Sequence, residues 1–251
     1  MSGVWNLIIL NPVLNSLIAL STLLYDSFGL AIIFLTIVVR LAMWPLTKRQ
    51  LNSTKAMQEM QPKIQEIQKK YGKNKQKLQE ETMKLYKEAG INPMGCIWPM
   101  LIQFPIWIAL YQSIMKALAT TPENLLSLSQ HLYSWQMVNE AIPLSSQFLW
   151  LNLGQPDQNM ILALIVGGTM WVQQKMTTAP SMDPKQQSTS QMMTLMMPLM
   201  FGMFTLMFPS GLAIFWAASN IIGIVTQYFV TGGWGYLKWQ NPLRPKETGQ
   251  K

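Results

Sequence analysis

The chain has 251 residues, of which 49% are hydrophobic and only 12% are charged. A soluble globular protein carries about 25% charged residues, so this composition excludes an ordinary soluble domain and indicates a polytopic membrane protein. The net charge is +8. In a membrane protein, an excess of Lys and Arg indicates first of all which loops lie in the cytoplasm. The single Cys96 excludes an internal disulfide, and the single His131 excludes a histidine-cluster metal site.

Residues 1–27 are moderately apolar and contain no Lys or Arg, which excludes the basic leader of a cleavable signal peptide. Polar or small side chains recur near helical spacing at Asn15, Ala19, Thr22 and Asp26. This pattern predicts an extracytoplasmic amphipathic helix that lies in the membrane interface. The alternative is an additional spanning helix.

The next segment, 28–46, is apolar enough to cross a bilayer and carries one charge, Arg40. Thr36 lies four residues earlier, on the same helical face. An Arg inside an apolar span costs about 2.5–3.5 kcal/mol on insertion scales, so it faces a partner or a wet cavity. We interpret Arg40 as a functional residue. The alternative is a structural Arg whose long side chain reaches the headgroups.

Residues 47–92 carry eleven basic and five acidic residues and predict a cytoplasmic helical hairpin. Apolar residues step by three and four positions on either side of a turn at 72–75. Pro62 is expected to kink or restart the first arm. Three pairs at i,i+4 spacing support the arms, and these are Glu59–Lys63, Glu66–Lys70 and Glu80–Lys84. The hairpin is either a solvated connection or an interaction surface.

Four further segments predict spanning helices, at 93–118, 160–176, 191–208 and 211–230. An extracytoplasmic loop, 119–159, and a cytoplasmic loop, 177–190, connect them, and a basic tail, 231–251, follows. The hairpin, the second loop and the tail hold 16 of the 19 Lys and Arg residues. Because basic loops stay in the cytoplasm, we predict an all-α membrane protein of five spans with the N-terminus outside and the C-terminus inside.

No catalytic motif occurs: GxSxG, HExxH, CxxC, P-loop and GxGxxG patterns are all absent from the sequence. We therefore predict neither an enzyme nor a cofactor. Uncharged polar residues do lie in or beside the spans, among them Thr36, Gln103, Gln112, Gln173, Gln174, Ser219, Asn220 and Gln227. Each alone is typical of a helix–helix hydrogen bond. Together with Arg40 they predict a hydrophilic cavity within the bundle.

The span 191–208 is rich in methionine, including Met196, Met200 and Met203. Methionine fills irregular gaps in a core, and it also forms compliant surfaces that accept varied partners. The sequence leaves both interpretations open.

Four stretches resemble the YidC/Oxa/Alb family of membrane protein insertases. They are VVRLAMWPLTKRQ (38–50), MQPKIQEIQKKYG (60–72), LYKEAGINPMGCIWPMLIQFPIWIALY (85–111) and MFPSGLAIFWAASN (207–220). The chain departs from relatives that carry a Tyr-Tyr pair, because it has Phe215-Trp216 at that place.

The resemblance implies five spans around a hydrophilic groove open to the cytoplasm and to lipid, in the short bacterial form without a large extracytoplasmic domain. It places the family's groove arginine at Arg40. By position, the other implied groove residues are Thr36, Gln103, Gln173 or Gln174, Trp216 and Asn220. We further predict hydrophobic contacts with the substrate at Met196, Met200, Met203 and Phe215.

The implied function is insertion of newly made proteins into the bacterial cytoplasmic membrane, by a monomer that needs no nucleotide and no cofactor. The expected partners are nascent membrane proteins and the lipid bilayer, with the ribosome and the Sec translocon as further candidates and no specific nucleic-acid sequence. The alternatives are a small-solute or ion transporter and a lipid scramblase that use the same polar groove. Transporters usually contain internal repeats, and none is visible here.

Overall fold

The computed structural model describes residues 2–72, 74–90, 97–118, 122–135, 138, 141–178, 184–235 and 237. Its helical elements are α1 (Ser2–Trp5), a π-helical turn (Asn6–Leu10), α2 (Asn11–Leu23), α3 (Phe28–Ala42), α4 (Trp44–Glu59), α5 (Gln61–Tyr71), α6 (Lys75–Glu88), α7 (Ile97–Ala117), α8 (Pro122–Ser129), α9 (Ile161–Thr177), α10 (Pro184–Phe204) and α11 (Ser210–Thr231). Two short strands, β1 (Gln147–Phe148) and β2 (Leu151–Asn152), pair antiparallel. The described chain is mostly helical, as predicted. Most of the predicted tail, at 238–251, and the start of the predicted second span, at 93–96, lie outside the described residues.

The N-terminal segment is helical from residue 2 to residue 23, and one of its faces packs on the bundle. That face includes the fully buried Leu14, Leu17 and Ile18. Asn15 is also fully buried, so its predicted place on a polar, solvent-facing stripe is wrong. Its amide donates to the carbonyl of His131 at 2.8 Å and accepts from the N–H of Tyr133 at 2.7 Å. A polar loop, not water, satisfies this side chain.

The helix that carries Arg40 ends earlier than the sequence predicts. α3 begins at a serine cap, where Ser27 Oγ accepts from the N–H of Leu30 at 3.4 Å. It ends at Ala42, and α4 starts at Trp44 with its axis turned by 65°. Pro45 lies in the first turn of α4, where its missing N–H does no harm, but its ring prevents α3 from continuing. The predicted segment 28–46 is therefore broken near its end.

The predicted hairpin is formed by α5 and α6, which pack on each other. Pro62 lies in the first turn of α5, so the first arm restarts there as predicted. Asn74 caps α6 by accepting from the N–H of Lys77 at 3.2 Å. The hydrogen bond from Lys84 to Glu81, at 3.0 Å, raises the pKa of the Lys84 ammonium.

Of the three predicted ion pairs in the hairpin, Glu80–Lys84 forms, at 3.7 Å. The other two predicted pairs, Glu59–Lys63 and Glu66–Lys70, are not among the ion pairs of the described residues. Exposed pairs contribute at most about 1 kcal/mol, so long side chains in water are not held together by them.

The C-terminal half of the bundle is built on α11, whose residues 210–217 are all buried. α11 packs against α3 and α9, and α9 in turn packs against α10. α9 and α10 approach closely at Gly167 and Gly202, where a Cβ would lie 3.3 Å from the carbonyl oxygen of Pro198 and 3.1 Å from that of Ala163, respectively. These contacts bring α3, α10 and α11 around a common space.

In the described chain, two helical segments are long and apolar enough to cross a membrane, Gly3–Leu23 and Ser210–Thr231. A third is added if Phe28–Ala42 and Trp44–Met57 form one bent span. α9 has 17 residues, slightly fewer than the about 20 that a span needs. The count of five spans therefore stays a prediction. The N-terminal segment is long and apolar enough to cross a membrane. It therefore suits an additional spanning helix as well as the predicted interfacial helix.

Candidate functional site

Arg40 lies at a cavity of about 410 Å³ between four helices. The lining comprises Arg40 from α3; Gln103, Phe104 and Trp107 from α7; Met200, Phe201 and Phe204 from α10; and Phe215, Trp216, Ser219 and Asn220 from α11. Seven of these eleven residues are apolar or aromatic. The cavity is thus amphiphilic, with a few polar groups in a mainly aromatic wall, rather than hydrophilic throughout.

Aromatic rings from three helices pack together in the wall. Trp107 stacks on Trp216 with ring centroids 6.0 Å apart. Phe201 meets Trp216 edge-on at 5.5 Å, and Phe208 meets both tryptophans edge-on. Such pairs contribute about 0.5–1.5 kcal/mol each beyond area burial. The aromatic part of the lining on α7, α10 and α11 is therefore well fixed.

Arg40 is half-buried in the last turn of α3. No described residue forms an ion pair or a hydrogen bond with its guanidinium. A guanidinium carries five N–H donors and no acceptor. The site thus has a positive charge and a set of donors that stay available for a negatively charged or carbonyl-bearing ligand.

Two further polar atoms of the lining residues have no partner. Trp107 Nε1 and Ser219 Oγ are buried, and no described residue forms a hydrogen bond with either of them. Buried polar groups are bonded in the great majority of cases, and an exception calls for a specific explanation such as a ligand or an ordered water. The two residues with unpaired polar atoms therefore line the same cavity as the unpaired charge of Arg40.

Asn220 lines the same cavity but is tied to α9. Its Nδ2 donates to Thr169 Oγ1 at 3.2 Å and to the carbonyl of Val166 at 3.4 Å. Trp216, one turn earlier, is nearly buried by its aromatic neighbours. Both predicted groove residues on α11 thus reach the cavity, one as a packed ring and one as an amide that is already hydrogen-bonded.

Thr36 does not line the Arg40 cavity. Its hydroxyl donates to the carbonyl of Ile32 at 2.6 Å, and the side chain is fully buried. It borders a separate small void together with Val13, Leu35 and Phe215. Sequence spacing alone puts Thr36 and Arg40 on one face, but the hydroxyl bonds back to its own helix.

The predicted glutamines divide between the cavity and other places. Gln103 lines the cavity, whereas Gln173 and Gln174 do not. The amide of Gln173 packs on Gly223 of α11, where a Cβ would overlap it. The structure thus brings Arg40, Gln103 and Asn220 to one cavity and leaves the two adjacent glutamines outside it.

Only two of the four predicted hydrophobic contacts line the cavity. Met200 and Phe215 line the cavity, and Phe215 is buried. Met196 and Met203 are about half exposed on the outer surface of α10, at 49% and 60%. Their exposure is what lipid-facing or partner-facing side chains would show.

Comparison with known proteins decides the family. A family model described as "60Kd inner membrane protein" matches residues 19–234, which is most of the chain. This chain belongs to the 60Kd inner membrane protein family. The curated relatives it resembles include the membrane protein insertase YidC of Oceanobacillus iheyensis, 40% identical over 227 residues, with 87% of this chain and 80% of the relative covered.

Two other curated relatives show how the length varies. The membrane protein insertase MisCA of Bacillus subtilis is 34% identical over 251 residues, covering 98% of this chain and 85% of the relative. The membrane protein insertase YidC of Actinobacillus pleuropneumoniae is 40% identical over 227 residues, covering 90% of this chain but only 37% of the relative. The match to the family model and the names of these relatives identify a bacterial protein of the insertase family. The apolar helices identify it as a membrane protein.

Sequence reasoning missed several lining residues of this family member. Trp107, Phe201 and Phe204 form much of the wall, and Ser219 was noted only as one polar residue among many. A weak signal existed, because Phe201, Phe204 and Phe208 recur at helical spacing at the end of α10 and just beyond it. Nothing in the sequence, however, shows that this face meets Trp107 and Trp216.

Proposed function

We propose that this chain inserts newly synthesised proteins into the membrane and that the Arg40 cavity receives the polar end of the substrate. One observation carries the proposal: Arg40 lies at a cavity within the bundle without a described ion-pair or hydrogen-bond partner. The names of the curated relatives support the same class of activity.

The cavity suits a short acidic or carbonyl-rich segment. Arg40 supplies charge and donors, Trp107 Nε1 supplies a further unpaired donor, and Ser219 Oγ both donates and accepts. In a surrounding of low dielectric constant, attraction between Arg40 and a carboxylate is several times stronger than in water. The polar end of a substrate would thus exchange its hydration for these groups while its apolar segment meets lipid.

The driving force in this mechanism is transfer of an apolar helix of about 20 residues from water into lipid. The exposed methionines on α10, including Met196 and Met203, give that helix a compliant apolar surface. No nucleotide is needed for such a step. We further propose the five-span arrangement with N-terminus outside and C-terminus inside, which places the basic α5–α6 hairpin opposite anionic lipid headgroups or the ribosome.

The test is reconstitution into liposomes. A single-span substrate with a short acidic outer tail is synthesised in their presence, and protection of the tail from protease is scored. We expect wild-type protein to protect the tail and Arg40→Ala to reduce protection by about tenfold, which corresponds to about 1.4 kcal/mol.

Arg49→Ala is the matched control, because it removes a basic residue nine positions away on α4 that does not line the cavity. It should protect the tail as wild type does. Wild-type protein that protects no more than empty liposomes would refute the insertion function. Equal protection by wild type and Arg40→Ala would refute the role of the charge.

A further inference from the structure

A second basic side chain, Lys116, lies at a different pocket. This pocket has a volume of about 810 Å³ and lies between the N-terminal helical segment, the end of α7 and His131. Lys116 follows Gln103 by 13 residues on α7, so the two positions are about 20 Å apart along the helix. Of the polar residues from which the sequence predicts a hydrophilic cavity, only Gln112 is among the described residues that line this pocket. It is a separate site at another level of the bundle.

The pocket presents hydrogen-bond donors held in place by their neighbours. Lys116 Nζ donates to Ser127 Oγ at 2.9 Å, which leaves two of its three N–H groups available. Trp5 Nε1 donates to Gln112 Oε1 at 2.8 Å. That bond occupies the acceptor of the Gln112 amide, whose own N–H groups have no partner among the described residues.

His131 helps to fix this frame. Its Nδ1 lies 2.7 Å from the carbonyl oxygen of Ser127, and because a carbonyl only accepts, Nδ1 carries the proton and donates. Its Nε2 lies 3.4 Å from Nδ2 of Asn6. The ring therefore joins the N-terminal helical segment to the residues that hold Lys116.

The charge of Lys116 has no counter-ion among the described residues. The described residues of the pocket lining include no Asp or Glu, and no described carboxylate lies within ion-pair distance of Nζ. Lys116 is also the only Lys or Arg between Lys87 and Lys175. A Lys near the end of an apolar helix extends its ammonium toward water or an anionic group. The pocket thus offers a positive charge to a small anionic group.

Apolar surface lies directly beside these donors. Leu10 and Met115 form the apolar part of the pocket, and Met115 is 45% exposed. An anionic group attached to hydrocarbon fits this combination better than a free anion does.

We propose that the Lys116 pocket binds the phosphodiester headgroup of an anionic phospholipid, whose acyl chains lie along Leu10 and Met115. Lys116 and the Gln112 amide donate to the phosphate oxygens. No described residue of the lining carries a carboxylate that could pair with the cationic group of a zwitterionic lipid. The pocket therefore prefers a net negative headgroup.

The experiment is native mass spectrometry of the full chain released from micelles that contain equal amounts of phosphatidylglycerol and phosphatidylcholine. We expect wild-type protein to retain phosphatidylglycerol about fivefold more than phosphatidylcholine, as one interfacial Lys predicts. Lys116→Gln should lose this preference, and Lys116→Arg should keep it. Lys175→Gln, which removes an exposed basic residue of α9 outside the pocket, is the control and should keep the preference too.

Retention of the preference in Lys116→Gln would overturn the proposal, and so would its loss in Lys116→Arg while that variant stays folded. Millimolar inorganic phosphate separates the two sources of the phosphate group. If it displaces bound phosphatidylglycerol from wild type, the site takes free phosphate and the lipid assignment is wrong. If it does not, the acyl chains contribute to binding as proposed.

Discussion

Arg40 and Lys116 are basic side chains at two cavities that share α7, but their surroundings differ. The lining of the Arg40 cavity includes two buried polar atoms, Trp107 Nε1 and Ser219 Oγ, without a described partner. At the Lys116 pocket the ammonium is hydrogen-bonded to Ser127, and the indole of Trp5 has a partner as well. The Arg40 cavity thus keeps several polar groups unpaired, whereas at the other pocket Lys116, Gln112 and Trp5 each form at least one hydrogen bond.

The difference has an energetic meaning. A buried polar group without a partner costs about 1–3 kcal/mol, so an arrangement that keeps several of them is useful where a partner arrives and leaves during function. A frame of paired groups is rigid and suits a ligand that stays. The comparison therefore supports a transient substrate at Arg40 and a resident lipid at Lys116.

The largest expected effect compares two asparagines. Asn15→Leu removes the hydrogen bonds that hold His131 and Tyr133, and it leaves a carbonyl and an N–H unpaired. We expect a loss of about 2–3 kcal/mol in the free energy of unfolding. Asn220→Leu at the Arg40 cavity removes two longer bonds and should cost about 0.6 kcal/mol. Denaturant unfolding in detergent measures both, and equal losses would contradict the contrast between the two sites.

A charge reversal tests the transient role of Arg40. Arg40→Glu should lower insertion of substrates with acidic tails by about tenfold and raise insertion of the same substrates with basic tails. The measurement is the ratio of protease-protected fractions for the two tails. Arg49→Glu, outside the cavity, should leave this ratio unchanged. A ratio that does not move in Arg40→Glu would show that the cavity does not read the charge of the tail.

The two sites also show which features the sequence could reveal. The restart of the chain at Pro62 and the cap at Asn74 depend on residues within a few positions, and such local rules predicted the α5–α6 hairpin. Asn15 was assigned to the wrong face because its partners His131 and Tyr133 lie 116 and 118 positions away. A polar residue on a helix has the same spacing whether it meets water or a distant loop.

The same limit applies to the Arg40 cavity. A lone charge within an apolar segment was enough to single out Arg40. The role of Trp107 depends on how α7 meets α10 and α11, and that packing is not encoded in any local pattern. Thr36 shows the converse, since correct helical spacing did not reveal that its hydroxyl bonds to Ile32.

The same substitution at two tryptophans, one at each site, should change the free energy of unfolding in opposite directions. Trp107→Phe keeps an aromatic ring but removes an unpaired N–H, so the free energy of unfolding should rise or stay constant, by up to about 1 kcal/mol. Trp5→Phe removes the bond to Gln112 and should lower it by about 1 kcal/mol. Thermal unfolding of both variants in one detergent gives the two signs. Destabilisation by Trp107→Phe equal to that by Trp5→Phe would mean that the Trp107 N–H has a partner in the folded protein.

The smallest expected effect concerns two serines and tests whether the contrast extends to hydroxyl groups. Ser127→Ala removes the acceptor of Lys116 and should cost about 0.5–1 kcal/mol in the free energy of unfolding. Ser219→Ala removes an oxygen that has no described partner, and it should change that free energy by less than about 0.5 kcal/mol.

The same pair separates stability from function, because Ser219→Ala deletes a group that a bound substrate would use. It should therefore lower the protected fraction of an acidic-tailed substrate by about twofold while leaving unfolding almost unchanged. Loss of stability without loss of insertion in Ser219→Ala would instead show that the Ser219 hydroxyl has a structural role in the fold.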